Sequence, residues 1–254
     1  MTALNSLYVV TGSSRGLGAA LVAQLLQPGH VLLGIARRSN PALQAQADAA
    51  GVPFTQWTAD LADPQPVAER LAAWLAGFDS ATVASATLIN NAGVVGLPAT
   101  LGQVPLPTLT LAMRAGLEAP RLLTGAFLAA TAGWPGARRV LNISSGLGRR
   151  AMAGSAAYCA AKGGVINLVR AMANSYGNQG IRANAVCPGY TDTPMIADVM
   201  NIFDDQHEAN WLTPMERAGT PMEMAYGCLF MASDEASYVN GAILPIDGGT
   251  TARQ

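Results

Sequence analysis

With 254 residues, half of them hydrophobic, the chain can bury the core of one large α/β domain. Charged residues make up only 12%, against roughly 25% in ordinary soluble domains, so much of the surface is expected to be covered within the subunit or against further copies of it. The formal charge of -1, without a basic block or stripe, excludes attraction to a nucleic-acid backbone or an anionic membrane and points to a small ligand.

The first strand signal, LYVV at 7–10, comes so early that a signal peptide has no room before it, and a cytoplasmic protein is expected. TGSSRGLG (11–18) follows at once, with glycines at 12, 16 and 18 where the strand has to turn into a helix over 16–27. Glycines at such a turn let backbone approach a phosphate closely and leave the free N–H groups of the helix N-terminus facing the anion. Gly12, Ser14, Arg15, Gly16, Leu17 and Gly18 are therefore candidate dinucleotide contacts. The second strand, VLLGIA (31–36), runs into Arg37 and Arg38 with no carboxylate in reach. An acid there would accept from the ribose 2′-hydroxyl of NAD and repel the 2′-phosphate of NADP, whereas guanidinium groups bind phosphate bidentately. Arg37 and Arg38, with Arg15 inside the glycine loop, make NADP(H) the expected cofactor.

PFTQW (53–57), TLIN (87–90), RVLNIS (139–144), RANAVC (182–187) and AILPI (242–246) bring the strand signals to seven, with helix signals over 64–76, 106–130 and 155–176 between them. This alternation predicts a Rossmann-type doubly wound α/β fold, a seven-stranded parallel sheet flanked by helices. The stretch 80–113 carries no charge, but its asparagines, prolines and glycines exclude a bilayer span. Two segments break the rhythm, 93–107 and 191–221, and excursions of that length are commonly binding loops or lids, with 191–221 taken as the substrate loop. Neither a repeat nor a composition break divides the chain, so 1–254 reads as a single domain. Cys159, Cys187 and Cys228 show no paired spacing, and His30 and His207 lie far apart, which supports neither a disulfide framework nor a metal site.

SAAYCAAK (155–162) sets the chemical question, because it puts Tyr158 and Lys162 one helical turn apart and so on one face. A free phenol ionises near pH ~10, too high for proton exchange at neutral pH. The lysine ammonium and a positive nicotinamide ring would both favour the phenolate. Lowering the phenol by about three pH units takes roughly 4 kcal/mol, within reach of cations in a water-poor site.

Taken in order, TGSSRGLG, NNAG (90–93), NISSG (142–146), YCAAK (158–162) and PGYTDTPM (188–195) resemble the short-chain dehydrogenase/reductase family, along essentially the whole chain to NGAILPIDGG (240–249). The resemblance implies that Tyr158 gives a proton to a substrate carbonyl oxygen in reduction and takes it back in oxidation. Lys162 would also hold the nicotinamide ribose, and Ser145, rather than Ser144, would hydrogen-bond the reacting oxygen. Asp60 and Leu61 correspond to the family's adenine contacts, and Asn91, Ala92 and Gly93 to its ribose side, with Asn90 bracing the fourth strand. Pro188, Gly189, Thr191 and Thr193 match the segment that fixes the nicotinamide carboxamide. Homodimers or homotetramers built on the helix over 155–176 and the one containing Gly116 are also implied. Gly116 departs from the pattern, standing where family members carry an asparagine that holds a water for returning the tyrosine proton. The relay is then expected to run through other groups or to slow, and a glycine costing about 1 kcal/mol in a helix interior predicts a local distortion.

Met195, Met200, Phe203, Trp211 and Met215, with Leu147 and Met152, read either as an apolar pocket for a bulky or aromatic ketone or as packing for a lid or a subunit contact. Arg149 and Arg150 read as a solvated turn, with an acidic substrate as their other use. The expected reaction is NADPH-dependent interconversion of a ketone or aldehyde and an alcohol. The alternatives are a cofactor-binding regulator without turnover, which Gly116 alone supports, and an epimerase or dehydratase on the same fold.

Overall fold

Strands inside a parallel sheet are covered on both faces and therefore run apolar without alternation. The strands β1 (Asn5–Thr11) and β2 (His30–Ala36) each end in five consecutive buried residues, and β4 (Val83–Asn90) and β5 (Ala137–Ile143) in six. With β3 (Phe54–Thr58), β6 (Ile181–Pro188) and β7 (Ile243–Ile246) they form one sheet in the order β3-β2-β1-β4-β5-β6-β7, every neighbour parallel. The computed structural model describes residues 5–96, 98–197 and 213–253. The chain winds outward from β1 to β3 and then resumes at β4 on the other side of β1. That reversal opens a crevice beyond the carboxyl ends of β1 and β4, the place where open α/β sheets bind ligands.

Helices cover both faces: α1 (Gly16–Leu25), α2 (Pro41–Ala50), α3 (Pro64–Ala76), α4 (Leu106–Met113), α5 (Ala119–Ala130), α6 (Ala156–Tyr176) and α7 (Pro221–Met231). Adjacent strand residues divide between the two faces, as the period of two requires. Val9, Leu88 and Val140 pack with Leu71 and Leu75 of α3, Leu123 and Phe127 of α5 and Met172 of α6. Their neighbours Val10, Ile89 and Leu141 pack with Leu21 and Val22 of α1, Leu43 of α2 and Ala225 and Met231 of α7. Each fully buried aliphatic side chain contributes about 1.5–3 kcal/mol relative to exposure, so this double layer fixes the strand ends that carry the site. No described helix is long and apolar enough to cross a membrane.

All seven strands stand where their signals predicted, and the differences are instructive. β4 begins at Val83, four residues ahead of TLIN, because the alanines and serine of VASA carry little strand signal. Two helices escape the sequence reading. α2 is short and alanine-rich; its sharpest marks are its ends, where the Asn40 side chain accepts from the Leu43 N–H at 3.1 Å and Gly51 closes it at φ 65°. α7 is apolar nearly all round, so no stripe announces it, although the reciprocal Thr220–Glu223 cap with Pro221 at the first position does. The rod expected over 106–130 is divided by a π-helical turn, Arg114–Glu118, in which the Ala119 N–H reaches back five residues to the Arg114 carbonyl. Gly116 lies buried inside that turn, at the distortion the sequence predicted.

Candidate active site

The glycine loop joining β1 to α1 is built around backbone that a side chain would displace. Gly12 has φ 67°, and a Cβ at Gly18 would start 2.0 Å from the Gly12 carbonyl oxygen. Neighbouring strands hold this turn from both sides. The Thr11 hydroxyl accepts the N–H groups of Asn91 and Ala92, each at 2.9 Å, and the Asn91 amide donates to the Thr11 carbonyl at 2.9 Å. On the other flank the Asn40 amide donates to the Ser14 carbonyl at 2.9 Å, and Gln56 clasps the Asn40 backbone through both its N–H (2.7 Å) and its carbonyl (3.2 Å). Asn91, expected on the ribose side, lines the cleft, and its amide also braces the loop.

At the other end of the crevice, β5 and α6 carry the candidate reacting groups Ser145, Tyr158 and Lys162. The two serines after β5 divide their work. Ser144 is buried and its hydroxyl donates to the Lys162 carbonyl at 2.8 Å, a bond that seats α6 against the strand end. Ser145 accepts the Leu147 N–H at 3.1 Å and acts on the Tyr158 hydroxyl, favouring its phenolate form. Lys162 is 4% exposed, its ammonium donating to the Ile143 carbonyl at 2.7 Å and lying 5.8 Å from the centroid of the Tyr158 ring. The helical spacing has thus put both groups on one wall. Asn90, expected to brace its strand, donates to the Asn142 side chain and to the Thr124 hydroxyl, both at 3.1 Å.

The electrostatics correct one expectation. Burial pushes the Tyr158 phenol above its ordinary value, opposed by the hydrogen bond from Ser145, and the Lys162 ammonium is not what governs it. Tyr158 is half-buried where it lines the cleft, and loss of water is the largest influence on its phenol. The same loss of water pulls Lys162 down to about 8, with the neighbouring Cys187 thiol acting in the opposite sense. Both groups are held toward their neutral forms by the chain itself. The Cys187 thiol is in turn raised by burial.

A single cleft of 780 Å³ collects Gly12, Ser14, Arg15, Gly16, Leu17, Gly18, Arg37, Arg38, Asp60, Leu61, Asn91, Ala92 and Gly93 with Ser145, Tyr158, Lys162, Pro188, Gly189, Thr191 and Thr193. Thr193 closes it from above, 3.3 Å from where a Gly16 side chain would begin. Among the described residues Arg15, Arg37 and Arg38 are exposed and form no ion pair. Of the apolar candidates, Leu147, Met152 and Met195 line the cleft, and Met215 packs by Gly248 with 60% of its surface exposed. Met200, Phe203, Trp211 and about half of the expected lid lie outside the described residues. Sequence reading missed the turn after β7, where Asp247, Thr250 and Thr251 join the lining. The signal was there, since the carboxyl end of every strand in a parallel sheet faces the same edge and IDGG marks the last one.

The donor set fits a nicotinamide dinucleotide. The loop presents backbone that no side chain obstructs at the N-terminus of α1, Ala36 leaves space at the end of β2, and three cations surround that end without an acid partner. Among the described residues no group of three His, Cys, Asp or Glu could hold a metal ion.

A family model described as enoyl-(acyl carrier protein) reductase matches residues 12–251. Among characterised relatives, cis-4-hydroxycyclohexanecarboxylate dehydrogenase of Sinomonas cyclohexanicum is 36% identical over 254 residues, covering 96% of each chain. The 2-(S)-hydroxypropyl-CoM dehydrogenase 3 of Xanthobacter autotrophicus is 32% identical, covering 98% of this chain and 97% of its own. Among solved structures, an oxidoreductase of the short-chain dehydrogenase/reductase family from Burkholderia thailandensis superposes with a TM-score of 0.83 at 32% identity, covering 98% of this chain and 94% of that one. A protein provisionally described as an NAD(P)-dependent gluconate 5-dehydrogenase from Beutenbergia cavernae, solved with NADP at low occupancy, does so with a TM-score of 0.88 at 31% identity and 99% coverage of both.

Proposed function

This chain belongs to the short-chain dehydrogenase/reductase family, and from that premise we propose that it is an NADP(H)-dependent oxidoreductase interconverting a ketone or aldehyde and the corresponding alcohol. The observation that carries the reading is Tyr158 gathered with Ser145 and Lys162 in one cleft with the glycine loop.

Arg15, Arg37 and Arg38 would hold the 2′-phosphate of the dinucleotide, the loop and the start of α1 its pyrophosphate, and Asp60 and Leu61 its adenine side. Once bound, the nicotinamide supplies or accepts the hydride. In reduction the Tyr158 hydroxyl gives its proton to the carbonyl oxygen, so that one hydride and one proton convert the carbonyl to an alcohol. Ser145, freed from Tyr158 as substrate enters, donates to the same oxygen and orients it. Ser144 has no part in this, because its hydroxyl is committed to the Lys162 carbonyl. Lys162 keeps a positive charge behind the phenol and, as in the family pattern, a hand on the nicotinamide ribose. The exposed Leu106 of α4 and Met113 beside the π-turn support self-association into a homodimer or homotetramer. The whole of 1–254 acts as one catalytic domain in this reading, with 191–221 as its substrate loop.

The test is NADPH consumption against a panel of alkyl and aryl ketones. Turnover with several of them is expected, and Tyr158→Phe should lower it about 10²–10⁴-fold with NADPH affinity near that of the wild type. A Tyr158→Phe enzyme that turns over at the wild-type rate would remove Tyr158 from the chemistry.

A further inference from the structure

Around Ser145 and Tyr158 the cleft is lined by Val94, Val95, Leu147, Met152 and Met195 among others, and of the charged groups there Lys162 and Asp247 are held by bonds within the protein while the Arg150 side chain has no partner among the described residues. From this we infer that the substrate is a carboxylic acid as well as a carbonyl compound or alcohol, and that Arg150 holds its carboxylate; this rests on the oxidoreductase reading of the same cleft.

Arg150 sits in the loop between the two reacting-group residues, five positions after Ser145. Its backbone is turned in by an N–H bond to the Gly146 carbonyl at 3.1 Å. The same loop is pinned to the facing wall where the Ala99 N–H meets the Gly154 carbonyl at 3.0 Å, so the arginine is carried on supported backbone. The side chain is half-buried, lines the cleft, and has no hydrogen-bond or ion-pair partner among the described residues. Its neighbour behaves differently: Arg149 is exposed, is absent from the cleft lining, and reaches the Thr251 hydroxyl at 3.4 Å. The tandem arginines that read as one solvated turn are therefore two residues with two surroundings.

The acid that could have neutralised Arg150 from the cleft wall is committed elsewhere. Asp247 accepts from the Gly249 N–H and the Thr251 N–H, both at 3.0 Å, and from the Thr251 hydroxyl at 2.6 Å. The other lining acid, Asp60, follows β3 and faces the dinucleotide end. A guanidinium has five N–H donors in a planar fork that matches a carboxylate, and apolar walls strengthen such a bond by thinning the water around it. A ketone with an apolar body and an anionic end fits these walls; a neutral ketone leaves the fork unused.

The experiment compares keto acids of different span, among them 4-oxopentanoate and 4-acetylbenzoate, with their methyl esters as substrates of the full-length protein with NADPH. For at least one pair the wild type should prefer the acid by kcat/KM, and Arg150→Met should reduce that acid-to-ester ratio about 10- to 100-fold, with Arg150→Lys between the two. In parallel, calorimetry with 4-ethylbenzoate, which has no carbonyl to reduce, reads recognition without turnover and should show binding weakened by a similar factor in Arg150→Met. Esters turned over as well as acids by the wild type, or acid and ester losing equally in the variant, would overturn the assignment. Should no ketone of any kind be reduced, the oxidoreductase reading fails separately, and the calorimetric difference alone decides whether Arg150 is an anion site.

Discussion

Lys162→Met gives the sharpest test of the site's electrostatics. The native lysine is pulled from 10.5 to about 8 by burial, so keeping it charged opposes folding below pH 8 by about 3 kcal/mol, at roughly 1.4 kcal/mol for each tenfold change in proton affinity. Between pH 8 and 10.5 the unfolded chain still binds the proton that the native state has released, and stability rises with pH wherever the unfolded state binds more protons. Over pH 7 to 9 about 1–2 kcal/mol of the opposition is relieved. Cys228, pushed up to about 12, and Tyr158, also raised, titrate in the contrary sense at alkaline pH, so the wild-type curve alone mixes signs. Methionine has no charge to bury, and the bond it removes from the Ile143 carbonyl costs the same at every pH. The assay is urea unfolding of both proteins at pH 7, 8 and 9. Wild type minus variant should climb by about 1–2 kcal/mol across that range. A flat or falling difference would mean that native Lys162 is hydrated or ion-paired, and the desolvated wall proposed around Tyr158 would go with it.

Three further outcomes follow from the geometry. Replacing Arg37 and Arg38 together by alanine should lower kcat/KM with NADPH about 10- to 100-fold and change it little with NADH, and equal losses with both would take the two arginines off the 2′-phosphate. Gly18→Ala, whose new carbon would start 2.0 Å from the Gly12 carbonyl oxygen, should displace the loop and weaken NADPH binding at least ~10-fold by fluorescence titration; normal binding would show that the loop is looser than its contacts indicate. Gly116→Asn brings a Cβ to 3.0 Å from that of Ala161, so α6 has to give way, and unfolding should show a loss of about 1 kcal/mol where a gain would refute the crowding.

Much of this was legible because the pieces are local. The glycine loop, the Tyr158–Lys162 spacing and the arginines after β2 each lie within eight consecutive residues, and the fold brings them into one cleft without altering their local geometry. What the sequence hid depends on neighbours distant in the chain. The resemblance named Ser145 over Ser144, but the reason, a hydrogen bond from Ser144 to a carbonyl eighteen residues on, lay outside its reach, as did the bracing of the loop by Asn91 where β1 and β4 meet. Helix α7 was missed for a different reason: one face packs against α1 and the sheet, but its outer face carries the exposed aromatics Tyr226 and Phe230, so no polar stripe marks the period. The π-turn is the intermediate case, since glycine predicts weakness in a helix but not which way the helix yields.

The reacting pair ends in a state that composition could not have suggested. Reading the spacing alone, one charges the lysine and lets it ionise the phenol. The structure instead dries both groups, raising Tyr158 and lowering Lys162 to about 8, and the Ser145 hydrogen bond is the chain's own main counterweight on the phenol. A protonated phenol is what carbonyl reduction needs, because the step consumes a proton at the oxygen. In the proposed reaction alcohol oxidation needs the phenolate, which burial disfavours. If the proposed reaction holds, positive charge brought into the cleft with the ligands would favour the phenolate, acting on a phenol whose surroundings hold little water.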